Sequence, residues 1–142
     1  MPGSEAKVSG LAWSHASVVG VQAMDDQHGI LMDTVNELRV QLLRGGNRDQ
    51  IGAMLDRLVE FTEMHFACEE SLLERYGYPH LSEHRAEHMR LVQEIRGAVE
   101  HSAHAQASDL QPLVTFLRSW YIDHVENADH QYGEWLNGHG IY

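Results

Sequence analysis

A chain of 142 residues, 43% of them hydrophobic, is long enough to bury a real core. Its formal charge of −11 would repel a phosphate backbone, which excludes nucleic acid as a natural partner. No apolar run nears the ~18 residues that a membrane-spanning helix needs, so no membrane span is expected.

Residues 1–19 form an N-terminal arm without an apolar segment of the signal-peptide kind. The chain has one cysteine, Cys68, so no intrachain disulfide can form and a reducing, cytoplasmic setting is expected. A first helix is predicted over residues 21–44, with the stripe Met24, His28, Leu31, Val35, Leu38 and Leu42. Gly45, Gly46 and Asn47 break it. A second helix over 48–76 carries Ile51, Leu55, Leu58, Phe61, His65, Glu69, Leu72 and Tyr76 on one face. Gly77, Tyr78 and Pro79 break the chain again. The third helix, 80–103, has Leu81, His84, His88, Leu91, Ile95 and Val99 at helical spacing. A weaker polar break runs from His101 to Ser108, where Ser108 and Gln111 resemble a capping box and Pro112 suits a first turn. The fourth helix, 109–137, shows Leu110, Val114, Leu117, Tyr121, His124, Ala128, Tyr132 and Trp135. Four such helices with short connections predict an all-α, up-down-up-down antiparallel four-helix bundle forming a single domain behind the arm.

The chain has 11 histidines, and only their positions can separate a surface bias from a metal site. Every stripe is interrupted by histidine, and the second by glutamate too. A buried ionisable group is costly unless it is paired or bound to metal. The interruptions are also level. His28 lies 16 residues before Arg44 and His65 lies 17 after Arg48, at either side of the first turn. Glu69 lies 7 residues before Tyr76, and His84 and His88 lie 4 and 8 after His80. His88 and His124 each lie 15 residues from the ends that face the third break. The pairs His65–Glu69 and His84–His88 are four apart and share a helix face. Six side chains therefore converge on one slab of the core. Imidazole with carboxylate suits iron, and zinc or manganese less distinctively.

The other candidates read as bland. His80 sits at a helix start beside Pro79, and His15, His101, His104, His130 and His139 fall in the arm, at ends or on outer faces. Glu70 is about 100° round the helix from Glu69 and should face out, and Asp123 and Glu126 fall off the fourth stripe. Cys68 borders the second stripe and is expected as core filler. No glutamate has histidine three residues later, so the Glu-x-x-His pairs of ferritin-like oxidases are missing.

Several segments together resemble the hemerythrin family. Trp13, Val19-Gly20-Val21 and Met24-Asp25-Asp26-Gln27-His28 are similar to its opening. His65-Phe66-Ala67-Cys68-Glu69-Glu70 is similar to its H-F-x-x-E-E segment. Gly77-Tyr78-Pro79, the His84/His88 pair and Trp120 to Gly133 follow at family spacing. The resemblance implies two iron ions per chain: His84, His88 and His124 on one, His28 and His65 on the other. Glu69 and Asp129 would bridge them, as would an oxo or hydroxo group. Only the resemblance selects Asp129, because five residues from His124 is 140° in an ideal helix. The first iron would then have six ligands and the second five, leaving one position for O2. Leu31, Phe66, Trp120, Tyr121 and Val125 would line that position.

The expected function is reversible O2 binding by a carrier, not an enzyme, with no protein partner specified. The alternatives are a module sensing O2, NO or iron, or a di-iron peroxidase or oxidase. Two further expectations follow. The fourth helix should widen or unwind near the site so that His124 and Asp129 reach the same metals. Tyr121 stands where the family pattern has leucine; its place in the stripe puts the ring inside, which favours a hydroxyl aimed at the open position over one turned outward to solvent at a channel mouth.

Overall fold

In the computed structural model, residues 18–102 and 110–142 are described. Most of the arm, with Trp13 and His15, and the break at 103–109, with His104 and Ser108, lie outside the described residues. The elements are α1 (Gln22–Leu43), α2 (Arg48–Arg75), α3 (Leu81–Ser102) and α4 (Gln111–His124). A π-helical segment (Val125–Asp129) continues α4 without a break and leads into α5 (His130–Gly138). The described residues form a four-helix bundle in which α1 packs on α2 and α4, and α2 packs on α3.

Local chemistry sets the ends. Gly45 (φ +69°) closes the turn after α1, and the Asn47 side chain then accepts from the backbone N–H groups of Asp49 and Gln50, capping α2. Gly77 (φ +72°) does the same after α2, where the Tyr78 N–H returns to the Leu73 carbonyl. Pro112 sits in the first turn of α4, where its missing N–H removes no helical bond.

The apolar core is split in two. The larger cluster, around Leu31, Val35, Leu38, Leu55, Leu58, Leu91, Ile95 and Leu117, fills the half of the bundle toward the first turn. The smaller one, around Val19, Val21, Met24, Leu73, Tyr78, Val125, Tyr132 and Leu136, fills the opposite end. The second stripe is corrected at its C-terminal end. Tyr76 is exposed, and Leu73 and Tyr78 take the buried places, because the tight turn at Gly77 swings the chain over the end of α2. Cys68, expected as core filler, is exposed. It lies one residue before Glu69, and the burial of His65 and Glu69 turns the Cys68 position toward solvent.

The residues before α1 lock onto α5. The Val19 and Gly20 N–H groups donate to the two Asp25 carboxylate oxygens at 2.8 and 3.2 Å, and the Asn137 amide donates to the Gly20 carbonyl at 3.0 Å. A Cβ on Gly133 would lie 2.0 Å from the Val19 carbonyl oxygen. The approach therefore needs glycine, and Gly133→Ala should cost about 1–3 kcal/mol by displacing this segment. Gly97→Ala on α3 meets nothing within 4 Å and should be neutral or gain up to about 1 kcal/mol from helix propensity. Urea unfolding midpoints of the two variants check the contrast; equal midpoints would refute the close approach as a constraint.

Candidate metal centre

Between the two apolar clusters lies a slab of ionisable groups. His28 comes from α1, His65 and Glu69 from α2, His84 and His88 from α3, His124 from α4 and Asp129 from the π segment. All seven are 4% exposed or less. His80, by contrast, is half exposed and pairs with Glu83 on the surface.

The π segment is what brings Asp129 in. Five residues along an α-helix carry a side chain about 140° round the axis; a π turn closes its hydrogen bonds from i to i+5 and returns it to nearly the same face. The expected widening of the fourth helix is thus present, over the residues that separate His124 from Asp129.

The two carboxylates divide their oxygens between two sets of imidazoles. Glu69 Oε1 lies 2.7 Å from His84 Nε2 and 3.0 Å from His88 Nε2, and Asp129 Oδ1 lies 3.0 Å from both His84 Nε2 and His124 Nε2. On the other side, Glu69 Oε2 lies 3.4 Å from His28 Nε2 and 3.3 Å from His65 Nε2, and Asp129 Oδ2 lies 3.1 Å from His28 Nε2. Each oxygen of each carboxylate serves one set. The donor atoms form two overlapping groups, Glu69, His84, His88, His124 and Asp129, and His28, His65, Glu69 and Asp129.

Close approach here is not the same as hydrogen bonding. His28 Nε2 and Asp129 Oδ1 are buried and make no hydrogen bond despite neighbours near 3 Å. That is what atoms aimed at a shared centre look like, and buried polar atoms left unpaired are expensive unless something fills the centre. Two imidazole-carboxylate pockets sharing two bridging carboxylates fit a pair of metal ions.

Without metal the cluster is held by protons. Burial lowers the affinity of His28 and His84 for a proton, but the Asp129 and Glu69 carboxylates beside them outweigh it and push both up to about 9. In His124 burial is likewise outweighed, chiefly by the Asp129 charge, and the value rises to about 10. Burial alone would raise Glu69; its four histidine neighbours instead hold it well below the usual carboxylate range. Asp129 is likewise lowered, against both burial and the charge of Glu69.

An outer ring that the sequence did not reveal surrounds these groups. His65 Nδ1 pairs with Gln27 Oε1 at 2.6 Å, His88 Nδ1 with Glu70 Oε2 at 2.8 Å, and His124 Nδ1 with Glu87 Oε1 at 3.1 Å. Glu70 thus does not face away: it turns sideways to α3, because α2 and α3 are neighbours and His88 presents its ring edge there. The Tyr132 hydroxyl donates to Glu69 Oε2 at 2.7 Å. Gln27, Glu70 and Tyr132 stand within segments that resemble the family pattern, but helical periodicity gives no sign of which neighbour they meet.

Four of the five residues expected to line an O2 position share one apolar cluster. Leu31, Phe66, Trp120 and Tyr121 belong to the larger apolar cluster, and Val125 to the smaller one across the slab. Phe66 stacks on His88 at 3.7 Å between ring centres, and Trp120 stacks on His124 at 4.4 Å. Tyr121 is inside, as its stripe implies, but its hydroxyl is taken: it pairs with the Thr62 hydroxyl at 2.6 Å. The phenol satisfies itself on α2 one turn from His65, which corrects the expectation that it aims at a metal position.

Comparison with known proteins agrees with this geometry. Residues 19–136 match the hemerythrin HHE cation binding domain family. A bacteriohemerythrin from Methylococcus capsulatus is 33% identical over 129 residues, covering 89% of this chain and 97% of the relative. One from Pseudomonas aeruginosa is 31% identical over 125 residues, covering 86% and 78%. Among solved structures, a wild-type hemerythrin superposes with a TM-score of 0.78 at 34% identity, covering 86% of this chain and 94% of that one. A leucine-to-tyrosine mutant of hemerythrin gives the same score and identity, covering 86% and 93%.

The raised histidine values set the pH behaviour of metal-free protein. A folded-state value above the unfolded 6.5 gives stability that is full below about pH 6.5 and lost as pH climbs through 9 to 10. The lowered carboxylates add stability above their unfolded values of about 4 to 4.5 that is lost on acidification. Metal-free protein should therefore show its highest urea midpoint near pH 5.5–6.5 and a lower one at pH 10. Metal uptake must displace these protons, so adding divalent metal at pH 7 should acidify an unbuffered solution, with His28, His84 and His124 as the sources. Uptake without proton release would show the three imidazoles to be neutral beforehand.

Proposed function

The chain belongs to the hemerythrin family, and we propose that it binds O2 reversibly at a di-iron centre held by His28, His65, Glu69, His84, His88, His124 and Asp129. The family is one of oxygen-binding carriers rather than enzymes. The observation that carries the proposal is the inequality of the two donor groups. One has three imidazoles and two carboxylates, the other two imidazoles and the same two carboxylates. The His28–His65 side is one protein donor short, so that side is where a small ligand can enter. Two ferrous ions bound there would supply the electrons that hold O2.

The chain's own contribution is to place donors and keep water out. Glu69 and Asp129 fix the spacing of the two positions by serving both. Tyr132 holds Glu69 by donating to the oxygen that faces the His28–His65 side. Leu31, Phe66 and Tyr121, all buried, supply apolar wall on one flank of the slab, and Val125 on the other. A dry wall slows the proton transfers that would let bound oxygen leave as a reduced species, which favours return of O2 over oxidation of the protein. Among the described residues no helix is long and apolar enough to cross a membrane.

Anaerobic loading with Fe(II) should give about two iron ions per chain. Admitting O2 should then produce a visible absorption band that disappears on flushing with inert gas and returns on re-aeration. One iron per chain, or bleaching on the first exposure, would overturn the proposal. Glu69→Ala removes a ligand to both positions and leaves imidazoles and Asp129 buried without their partner; metal content should fall and the loss in stability should reach about 3–5 kcal/mol.

Tyr121 provides a finer check. Its hydroxyl is engaged by Thr62, so Tyr121→Phe should change the O2 off-rate by less than about twofold, below the ~0.5 kcal/mol of a weak hydrogen bond. It should still lower the unfolding midpoint, because Thr62 is left buried without its partner. A several-fold faster off-rate would mean that the phenol turns to the ligand when O2 is bound.

A further inference from the structure

The outer partners of the imidazoles are not alike, and the difference follows the division between the two donor groups. On the three-histidine side, two rings have a carboxylate behind them: Glu70 for His88 and Glu87 for His124. On the two-histidine side, His65 has the neutral amide of Gln27, and His28 Nδ1 is buried with no hydrogen-bond partner among the described residues. Both carboxylates reach water. Glu70 is 24% exposed and lines a groove of about 380 Å³ between α2 and α3. Glu87 is 41% exposed and lines a cleft of about 520 Å³ over the π segment. Glu70 is further fixed by Arg85, whose Nε lies 3.4 Å from its other oxygen.

We propose that Glu70, Glu87 and Gln27 are positioning residues that make the two metal positions electronically unequal, with the His84–His88–His124 position the more easily oxidised. The inference rests on the di-iron reading above. An imidazole that donates its Nδ1–H to a carboxylate is a stronger base at Nε2 than one donating to an amide, and it is held in the tautomer that leaves Nε2 free. Stronger donation favours the higher charge on the metal. Gln27 orients His65 equally well without adding charge. Negative charge is thus concentrated behind the side already complete in protein donors. The side one donor short is left the poorer donor set, which keeps its metal reduced and ready for a neutral ligand.

The experiment is a spectroelectrochemical titration of iron-loaded protein, with the mixed-valence state followed by electron paramagnetic resonance. Wild type should show two separate one-electron steps. Glu70→Gln and Glu87→Gln keep an acceptor for the ring N–H and remove its charge. Each should raise the lower potential; a tenfold change in relative ferric affinity corresponds to about 59 mV. Gln27→Glu should lower the upper potential, so that all three variants narrow the gap, two from below and one from above. A purely structural role would not produce shifts of opposite sign. In a second arm without redox chemistry, Glu70→Gln should bind Zn(II) about 10-fold more weakly than wild type in a chelator competition, and Gln27→Glu should not. Two equal potentials in wild type, or charge swaps that leave both potentials in place, would overturn the inference. The di-iron reading is judged separately, by the iron content of the wild-type protein.

Discussion

Seven ionisable side chains packed into a dry slab set the terms for the rest of this structure. Moving charges out of water costs several kcal/mol per group, and mutual attraction repays this only when geometry is good. The surrounding protein supplies the geometry. Apolar clusters press on the slab from both ends, so the four helices cannot slide without breaking close-packed contacts. Both carboxylates are shared by both sets of imidazoles, which makes the cluster one cooperative unit. Protons and metal ions compete to neutralise it. The same gathering of donor atoms that leaves His28 Nε2 and Asp129 Oδ1 unpaired suits a metal pair as occupant.

How much of this was legible in the sequence depends on what each feature rests on. Helical periodicity is strong in all four stripes, so the helices could be read directly. The level of the interruptions follows from the fixed rise per residue, so His28, His65, Glu69, His84, His88 and His124 could be placed in one slab. Asp129 could not be found that way, because its spacing fits only a π turn. Resemblance to a family supplied it, and the need for a widened helix then followed from geometry. Rotations of one helix about its axis are far less legible. Whether Glu70 faces water or His88, or whether Cys68 is core or surface, turns on a few tens of degrees that a stripe of Leu and Phe does not specify. Tyr121 shows the limit clearly: periodicity puts the ring inside, but only the neighbouring helix can say that Thr62 is there to meet its hydroxyl.

The buried hydroxyls have different tasks. Tyr132 spends its proton on Glu69, inside the cluster, so it acts on the donor set itself. Tyr121 and Thr62 satisfy each other across α4 and α2, outside the hydrogen bonds of the cluster, and burial pushes the phenol well above its usual value. An acidic proton near a reduced site would invite loss of bound oxygen as a reduced species. A phenol that is both committed to a neighbour and reluctant to ionise adds bulk without adding acidity. Leucine would give a similar wall with no polar atom to satisfy, so tyrosine at this position is tolerated because Thr62 stands opposite.

The π segment connects these arguments to the energy of the fold. A π turn has poorer backbone geometry than an α turn and is rarely longer than one turn. An uninterrupted α-helix would suit the apolar stripe of α4 better, but would turn Asp129 away and leave Glu69 as the only bridge. The chain accepts the irregular backbone because the alternative is five buried imidazoles sharing one carboxylate. The cost is offset on both sides of the segment. Val125 and Tyr132 pack into the smaller cluster, and Gly133 lets the Val19 segment close over α5. The close contact of Val19 with Gly133 thus helps to hold the backbone that delivers the second bridging carboxylate. The two ends of the described chain, which meet where Val19 closes over Gly133, are part of what holds the site together.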